Sequence, residues 1–172
     1  MGDLVATEPE AVNAVRLDPA VELRDFVFEH HARLIRLAAL ISRSVDEAED
    51  AVQAALERAW RHRSSLTDRS RLRPWLDRIV VREAIRGGRR PTHALANELA
   101  APFDRDTSSE TAAVHQALDQ LTPGHRAVVV LHLYAGYSVA DTAEALSIPL
   151  ETVRSRLRVA RDRLRHLLAE EG

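Results

Sequence analysis

The sequence predicts an all-α protein: two small helical domains joined by a flexible linker, the C-terminal one a helix-turn-helix. Three observations predict it. Apolar residues recur at spacings of three and four through most of the chain and nowhere alternate as strand residues do. Between residues 87 and 106 the text turns to Gly, Pro, Ala and acids, which reads as a tether. From Ser138 to Leu168 a capped helix, a breaker and a long arginine-studded helix follow in order. The boundaries expected are a flexible lead-in at 1–19, a first domain at 20–90, the linker at 91–106 and a second domain at 107–172.

A first helix is expected from about Ala20 to Ser42, with Leu23, Phe26, Val27, Leu34, Leu37, Ala38 and Ile41 inward. His30 and His31 lie within it and, being adjacent, point to different sides, which argues against a shared metal. A second helix follows from about Val45 to His62. Its stripe is Ala48, Val52, Ala55, Leu56, Ala59 and Trp60, and its opposite face presents Asp46, Glu49, Asp50 and Gln53. Acids near its start suit the positive end of the helix dipole. A third helix begins near Pro74, with Leu72, Trp75, Leu76, Ile79 and Val80 on one side and Arg71, Arg78, Arg82 and Arg86 elsewhere; Gly87 and Gly88 end it.

Beyond the tether, with a short helix expected around 94–100, Thr107 and Glu110 form a capping box. It opens a helix to Leu121 through Val114, Ala117 and Leu118. Thr122 and Pro123 start the next, which runs with Val128, Val129, Leu131 and Leu133 inward to Gly136. Ser138 and Asp141 make a further capping box, with Val139, Ala143 and Leu146 at helical spacing behind it. Ser147, Ile148 and Pro149 break that run. Leu150, Val153, Leu157, Ala160, Leu164 and Leu167 then form one stripe, opposite Arg154, Arg158, Arg161 and Arg165. Thr152 and Ser155 lie near the start of this second helix, the end that reaches base edges in helix-turn-helix proteins. A guanidinium fork there can take a guanine in the major groove.

Composition narrows the functional class. The 172 residues carry 45% apolar side chains but only 4% aromatic ones, so Leu, Val and Ala do the packing. All 24 basic residues are Arg and there is no Cys, which excludes thiolate metal sites and suits a reducing, cytoplasmic setting. No signal peptide or membrane-spanning run is read. The net charge of −2 conceals an uneven distribution. Residues 45–57 hold five acids and no base, whereas residues 61–90 hold ten Arg against Asp68, Asp77 and Glu83. The basic segment is a candidate nucleic-acid footprint. Arginines beside an exposed aromatic suit unpaired DNA, where bases stack and phosphates pair, although Trp75 reads first as core packing. No nucleophile, phosphate loop or ligand set accompanies the acids of the second helix, so neither an enzyme nor a cofactor is expected.

Four segments in order, AEDAVQAALERAW, LRPWLDRI, ALDQLTPGHRAVVVLHLYAGYSVADTAEAL and IPLETVRSRLRVAR, resemble the extracytoplasmic-function (ECF) bacterial sigma factors. The resemblance spans Val21 to Leu168. It implies that the first domain is region 2 and the second region 4 of that family. Asp46, Glu49, Asp50, Gln53 and Arg58 would dock on the clamp coiled coil of the largest subunit of core RNA polymerase. Arg71, Trp75, Arg78 and Arg82 would engage the −10 element and hold an unpaired base. Thr152, Arg154, Ser155, Arg158 and Arg161 would read the −35 element, while the same domain meets the flap of the second large subunit. The family also suggests inhibition by an anti-sigma factor that clamps both domains. Arg82 stands where relatives usually carry Asn, Thr142 where they carry Ile, Glu151 where they carry Gly, and Val159 where they carry Arg. The competing reading is a stand-alone helix-turn-helix regulator that needs no polymerase; the first domain shows no heptad seam for the dimerisation such a regulator requires.

Overall fold

The computed structural model describes residues 18–42, 44–87 and 109–170, the last with side chains from 113 to 167. The expected lead-in up to residue 17, the tether at 91–106 with its short helix, and the Thr107–Glu110 capping box lie outside the described residues. Everything described is helix or turn. Helices α1 (Pro19–Ser42), α2 (Val45–His62) and α3 (Leu72–Gly87) form the first domain. Helices α4 (Ser109–Asp119), α5 (Pro123–Val129), α6 (Val139–Leu146) and α7 (Leu150–Glu170) form the second.

The three helices of the first domain pack closely because α2 is lined with small residues. Ala48, Ala51, Ala55 and Ala59 are buried, and each lets a neighbouring backbone approach. Leu34, Leu37 and Ile41 of α1 and Leu76, Val80 and Val81 of α3 fill the space around them. The α1–α2 corner is held by its serines. Ser42 Oγ donates to the Ala38 carbonyl at 2.9 Å, and Ser44 caps α2 by accepting from the Glu47 amide at 3.1 Å. Helix α3 starts at Leu72, two residues before Pro74, because a 3₁₀ turn at Arg69–Arg71, capped by Asp68, feeds directly into it.

In the second domain Thr122 and Ser138 cap α5 and α6 as their spacing predicts, with Asp141 N donating to Ser138 Oγ at 3.0 Å. Ser147 adopts the left-handed conformation (φ 53°) that closes α6, so the chain turns into α7 through Pro149. Val153, Leu157 and Ala160 of α7 are buried against Val128 and Ala143 on one side and Leu118, Leu121 and Val129 on the other.

Three residues expected to face inward do not. Trp60 is 48% exposed, with the Arg63 guanidinium stacked 4.7 Å from its ring. It follows buried Ala59 and so points about 100° round the helix from it, off the face that α1 and α3 cover. Val114, midway along α4, is 46% exposed. Leu133 is 54% exposed because α5 does not continue as an α-helix: Val130–Tyr134 is a π-helical turn, with Ala135 N donating to the Val130 carbonyl at 2.9 Å. The wider turn shifts the register, so Leu131 points inward while Leu133 and Tyr134 face solvent.

The two domains touch. Ala127, Val130, Leu131 and Ala145 of the second belong to the same buried apolar cluster as the core of the first. Arg126, 1% exposed, crosses the seam. Its guanidinium donates to the carbonyls of Leu118, Asp119 and Leu121 at the end of α4 and to Ile41 at the end of α1, at 2.9 to 3.3 Å. A helix end leaves such carbonyls without partners in its own helix. One arginine here satisfies the ends of two.

Candidate nucleic-acid interface

The arginines of α3 point at the second domain. Arg78 Nη2 lies 2.7 Å from Glu144 Oε1, and Arg71 Nη2 lies 3.6 Å from the other oxygen of the same carboxylate. Arg82 Nε donates to the Ala145 carbonyl at 3.1 Å and its Nη2 to Ser147 Oγ at 2.5 Å. Burial, with the charges of Arg78 and Arg58 beside it, lowers the Arg82 pKa from the ordinary arginine value. Trp75 is half-buried, its ring packed on the first-domain core near Leu23, Leu66 and Leu72. Three arginines therefore form a row against α6, and the tryptophan packs on the first-domain core.

Below the row sits Asp77, fully buried. It takes a two-pronged hydrogen bond from Arg33 of α1 and accepts from the Tyr137 hydroxyl, just before α6, at 2.9 Å. Burial, then the Asp77 charge and the hydrogen bond to it, raise the Tyr137 pKa well above the ordinary phenol value. Beside this pair the seam opens into a cleft of about 360 Å³ lined by Arg71, Arg73, Arg78, Tyr137, Asp141 and Glu144.

Asp46, Glu49, Asp50 and Gln53 are all exposed, and helical spacing places them along one face of α2. Arg58 is not on that face. It reaches α3, with Nε 3.2 Å from Glu83 Oε1, so the structure sets it apart from the four residues with which the family resemblance grouped it.

On α7, Arg154, Ser155, Arg158 and Arg161 are exposed along one side, opposite buried Val153, Leu157 and Ala160. Thr152 is half-buried at the first turn, its carbonyl accepting from Ser155 Oγ at 3.0 Å. Arg154 pairs with Glu151 one turn back. Thr142 is buried, and its hydroxyl donates to the Ser138 carbonyl at 2.8 Å, so a polar residue is tolerated where a branched aliphatic would fit.

Nothing in the local pattern of residues marks Asp77, Tyr137, Glu144 or Ser147. Asp77 reads as one more surface acid in a basic helix, and the others read as helix-turn-helix scaffold. Each acquires its significance from a partner 44 to 66 positions away in the chain.

The family models for Sigma-70 region 2 and Sigma-70 region 4 match residues 26–92 and 117–166 respectively. The chain belongs to the ECF RNA polymerase sigma factors. Among its relatives, SigM of Mycobacterium tuberculosis is 42% identical over 144 residues, covering 81% of this chain and 73% of that protein. SigL of the same organism is 34% identical over 164 residues, covering 89% and 92%. Among solved structures, RpoE of Bartonella quintana in complex with the anti-sigma factor NepR aligns with a TM-score of 0.68 at 26% identity, covering 86% of this chain and 97% of that one. CnrH in complex with the cytosolic domain of CnrY aligns with a TM-score of 0.66 at 25% identity, covering 90% and 96%. As a sigma factor, the protein binds core RNA polymerase and directs promoter-specific transcription initiation. A stand-alone regulator is not favoured. No helix among the described residues is long and apolar enough to cross a membrane.

Proposed function

We propose a division of labour among the three polar faces of this sigma factor. The face of α2 carrying Asp46, Glu49, Asp50 and Gln53 docks on the clamp coiled coil of the largest polymerase subunit, while Arg58, turned toward Glu83, lies off that face. The row of Arg78 and Arg82 on α3 and Arg71 in the turn before it, with Trp75, holds the −10 element and its unpaired strand. The exposed side of α7, with Thr152, Arg154, Ser155, Arg158 and Arg161, reads the −35 element, and its domain meets the flap of the second large subunit. The first domain then corresponds to residues 20–90, the second to 107–172, and 91–106 is the tether between them. The protein is no enzyme and takes no cofactor. It works in the cytoplasm, and the anti-sigma complexes of its structural relatives support an anti-sigma factor as its inhibitor.

The observation that carries this reading is the sorting of charge: an acidic face on α2 and two arginine rows on α3 and α7, each on a different helix. Melting DNA costs about 1.4 kcal/mol per base step, so a bubble of many steps exceeds what one small domain supplies and polymerase must contribute. Two weak grips on a tether gain affinity only when their spacing matches the two DNA elements, and polymerase sets that spacing.

Reconstituted transcription with core polymerase tests it. Arg154→Ala is expected to lower initiation from a cognate promoter about tenfold, the loss of one bidentate base contact, with polymerase binding intact. Unchanged promoter choice removes Arg154 from the reading set.

A further inference from the structure

We propose that Arg58 of α2 and Arg86 of α3, both held by buried Glu83, form a phosphate grip that carries the −10 surface further along the promoter backbone. The ligand class is a phosphodiester strand, bound without regard to base. The proposal rests on the assignment of Arg78 and Arg82 to the −10 element, and it moves Arg58 from the polymerase side of the molecule to the DNA side.

Glu83 is 8% exposed, and its two oxygens are taken by guanidiniums from two helices. Arg58 Nε lies 3.2 Å from Oε1, and Arg86 Nη1 donates to both oxygens at 2.7 Å. One such partner compensates a buried carboxylate; a second, from another helix, exceeds that need. Each guanidinium carries five N–H donors in a fixed fork, of which Glu83 engages one on Arg58 and one nitrogen of Arg86. The two side chains are 50% and 59% exposed, so solvent reaches the rest of each fork. Two cations thus share one anion, and a further anion would complete the cluster. Phosphate oxygens match the fork geometry that the carboxylate already uses. Anchoring by Glu83 also orders both side chains before DNA arrives, which removes part of the cost of binding.

The cluster lies in line with the −10 row. Arg78, Arg82 and Arg86 follow at intervals of four residues and so share one face of α3, about 12 Å from first to last. One DNA strand carries a charge about every 3.4 Å of helix axis, so that face spans three phosphates or more. Arg58 joins the row from α2. Burial, then the charges of Arg78 and Arg58, lower the Arg82 pKa, which puts Arg58 within electrostatic reach of Arg82. On its own helix Arg58 stands five residues beyond Gln53, about 140° round the axis from it, away from the acidic face. The sign of the charge changes at the same place: Glu57 is the last acid of α2, and Arg58 and Arg61 follow it.

Holoenzyme assembled from the full-length chain and core polymerase is titrated onto a labelled cognate promoter at several salt concentrations, read by fluorescence anisotropy. Removing both arginines would leave Glu83 buried and unpaired, so the main variant is Arg58→Gln/Glu83→Gln/Arg86→Gln, whose amides can hydrogen-bond one another. Circular dichroism checks its helical content. Loss of two phosphate contacts is expected to reduce the slope of log affinity against log salt by about 1.4 to 1.8, and to weaken binding about tenfold at low salt. Arg58→Gln alone, in which Arg86 still pairs with Glu83, is expected to lose about half of that slope. Base preferences at the −10 and −35 elements are expected to stay as in the parent, because phosphate contacts carry no sequence information. Binding to core polymerase alone is expected to match the parent in both variants. A parental salt slope in both overturns the grip. Weakened core binding by Arg58→Gln with a parental slope overturns it too, and returns Arg58 to the polymerase interface. The −10 reading is tested apart, with Arg78→Ala/Arg82→Ala on promoters in which every −10 base is varied. Unchanged preference there overturns that reading, while the slopes of the glutamine variants still decide whether Arg58 and Arg86 hold phosphate.

Discussion

Asp77 shows how one side chain can join a core to an interface. It is fully buried in α3, yet its carboxylate meets Arg33 of its own domain and Tyr137 of the other. Asp77→Ala is expected to destabilise the protein by about 3 kcal/mol in urea denaturation, because truncating one partner of a buried ion pair leaves the other uncompensated. Tyr137 carries the pH dependence of the same contact. Burial beside a carboxylate favours its neutral form, so its pKa in the folded protein lies above that in the unfolded chain. The stabilisation is fully present below the ordinary phenol range, about 10. It is lost as pH rises toward the folded value, because the unfolded chain then binds fewer protons than the folded one. Melting temperature is expected to fall more steeply above that range in the parent than in Tyr137→Phe, measured by circular dichroism.

At the scale of the element, the helix ends decide most of what can be varied. Ser138→Ala removes the cap of α6 and is expected to cost about 1 kcal/mol, read as a lower urea midpoint. Arg126→Ala is expected to be harsher, at about 3 kcal/mol or more, since several buried carbonyls lose their donor together. The same comparison shows which elements the sequence could define. The periodicities of α1, α2 and α7, and the caps at Thr122 and Ser138, are local properties, and they predicted those helices within a residue or two. The π turn at Val130–Tyr134 was not legible. A run of Val, Leu and His suits an α-helix equally well, and the wider turn reflects how Leu131 and Tyr137 reach the first domain. Trp60 misled for another reason: it stands at the edge of the α2 stripe, next to buried Ala59, and points away from the core.

For the whole molecule, the expected partnership is testable without knowing the regulon. In a gel-shift assay, the free protein is expected to give little specific promoter binding and the protein with core polymerase strong binding. Equal affinity in both states counts against polymerase dependence.

The amino-acid sequence alone determined the helical class, the order and caps of most helices, the helix-turn-helix and the separation of acidic from arginine-rich surfaces. These follow from spacing, propensity and charge, which act over a few residues. Only the tertiary structure decided that the two domains share an apolar seam, that Arg58 turns away from the acidic face toward Glu83, and that Asp77 and Tyr137 meet. The partners in the last two contacts lie 25 and 60 positions apart. Packing, not local preference, brings them together.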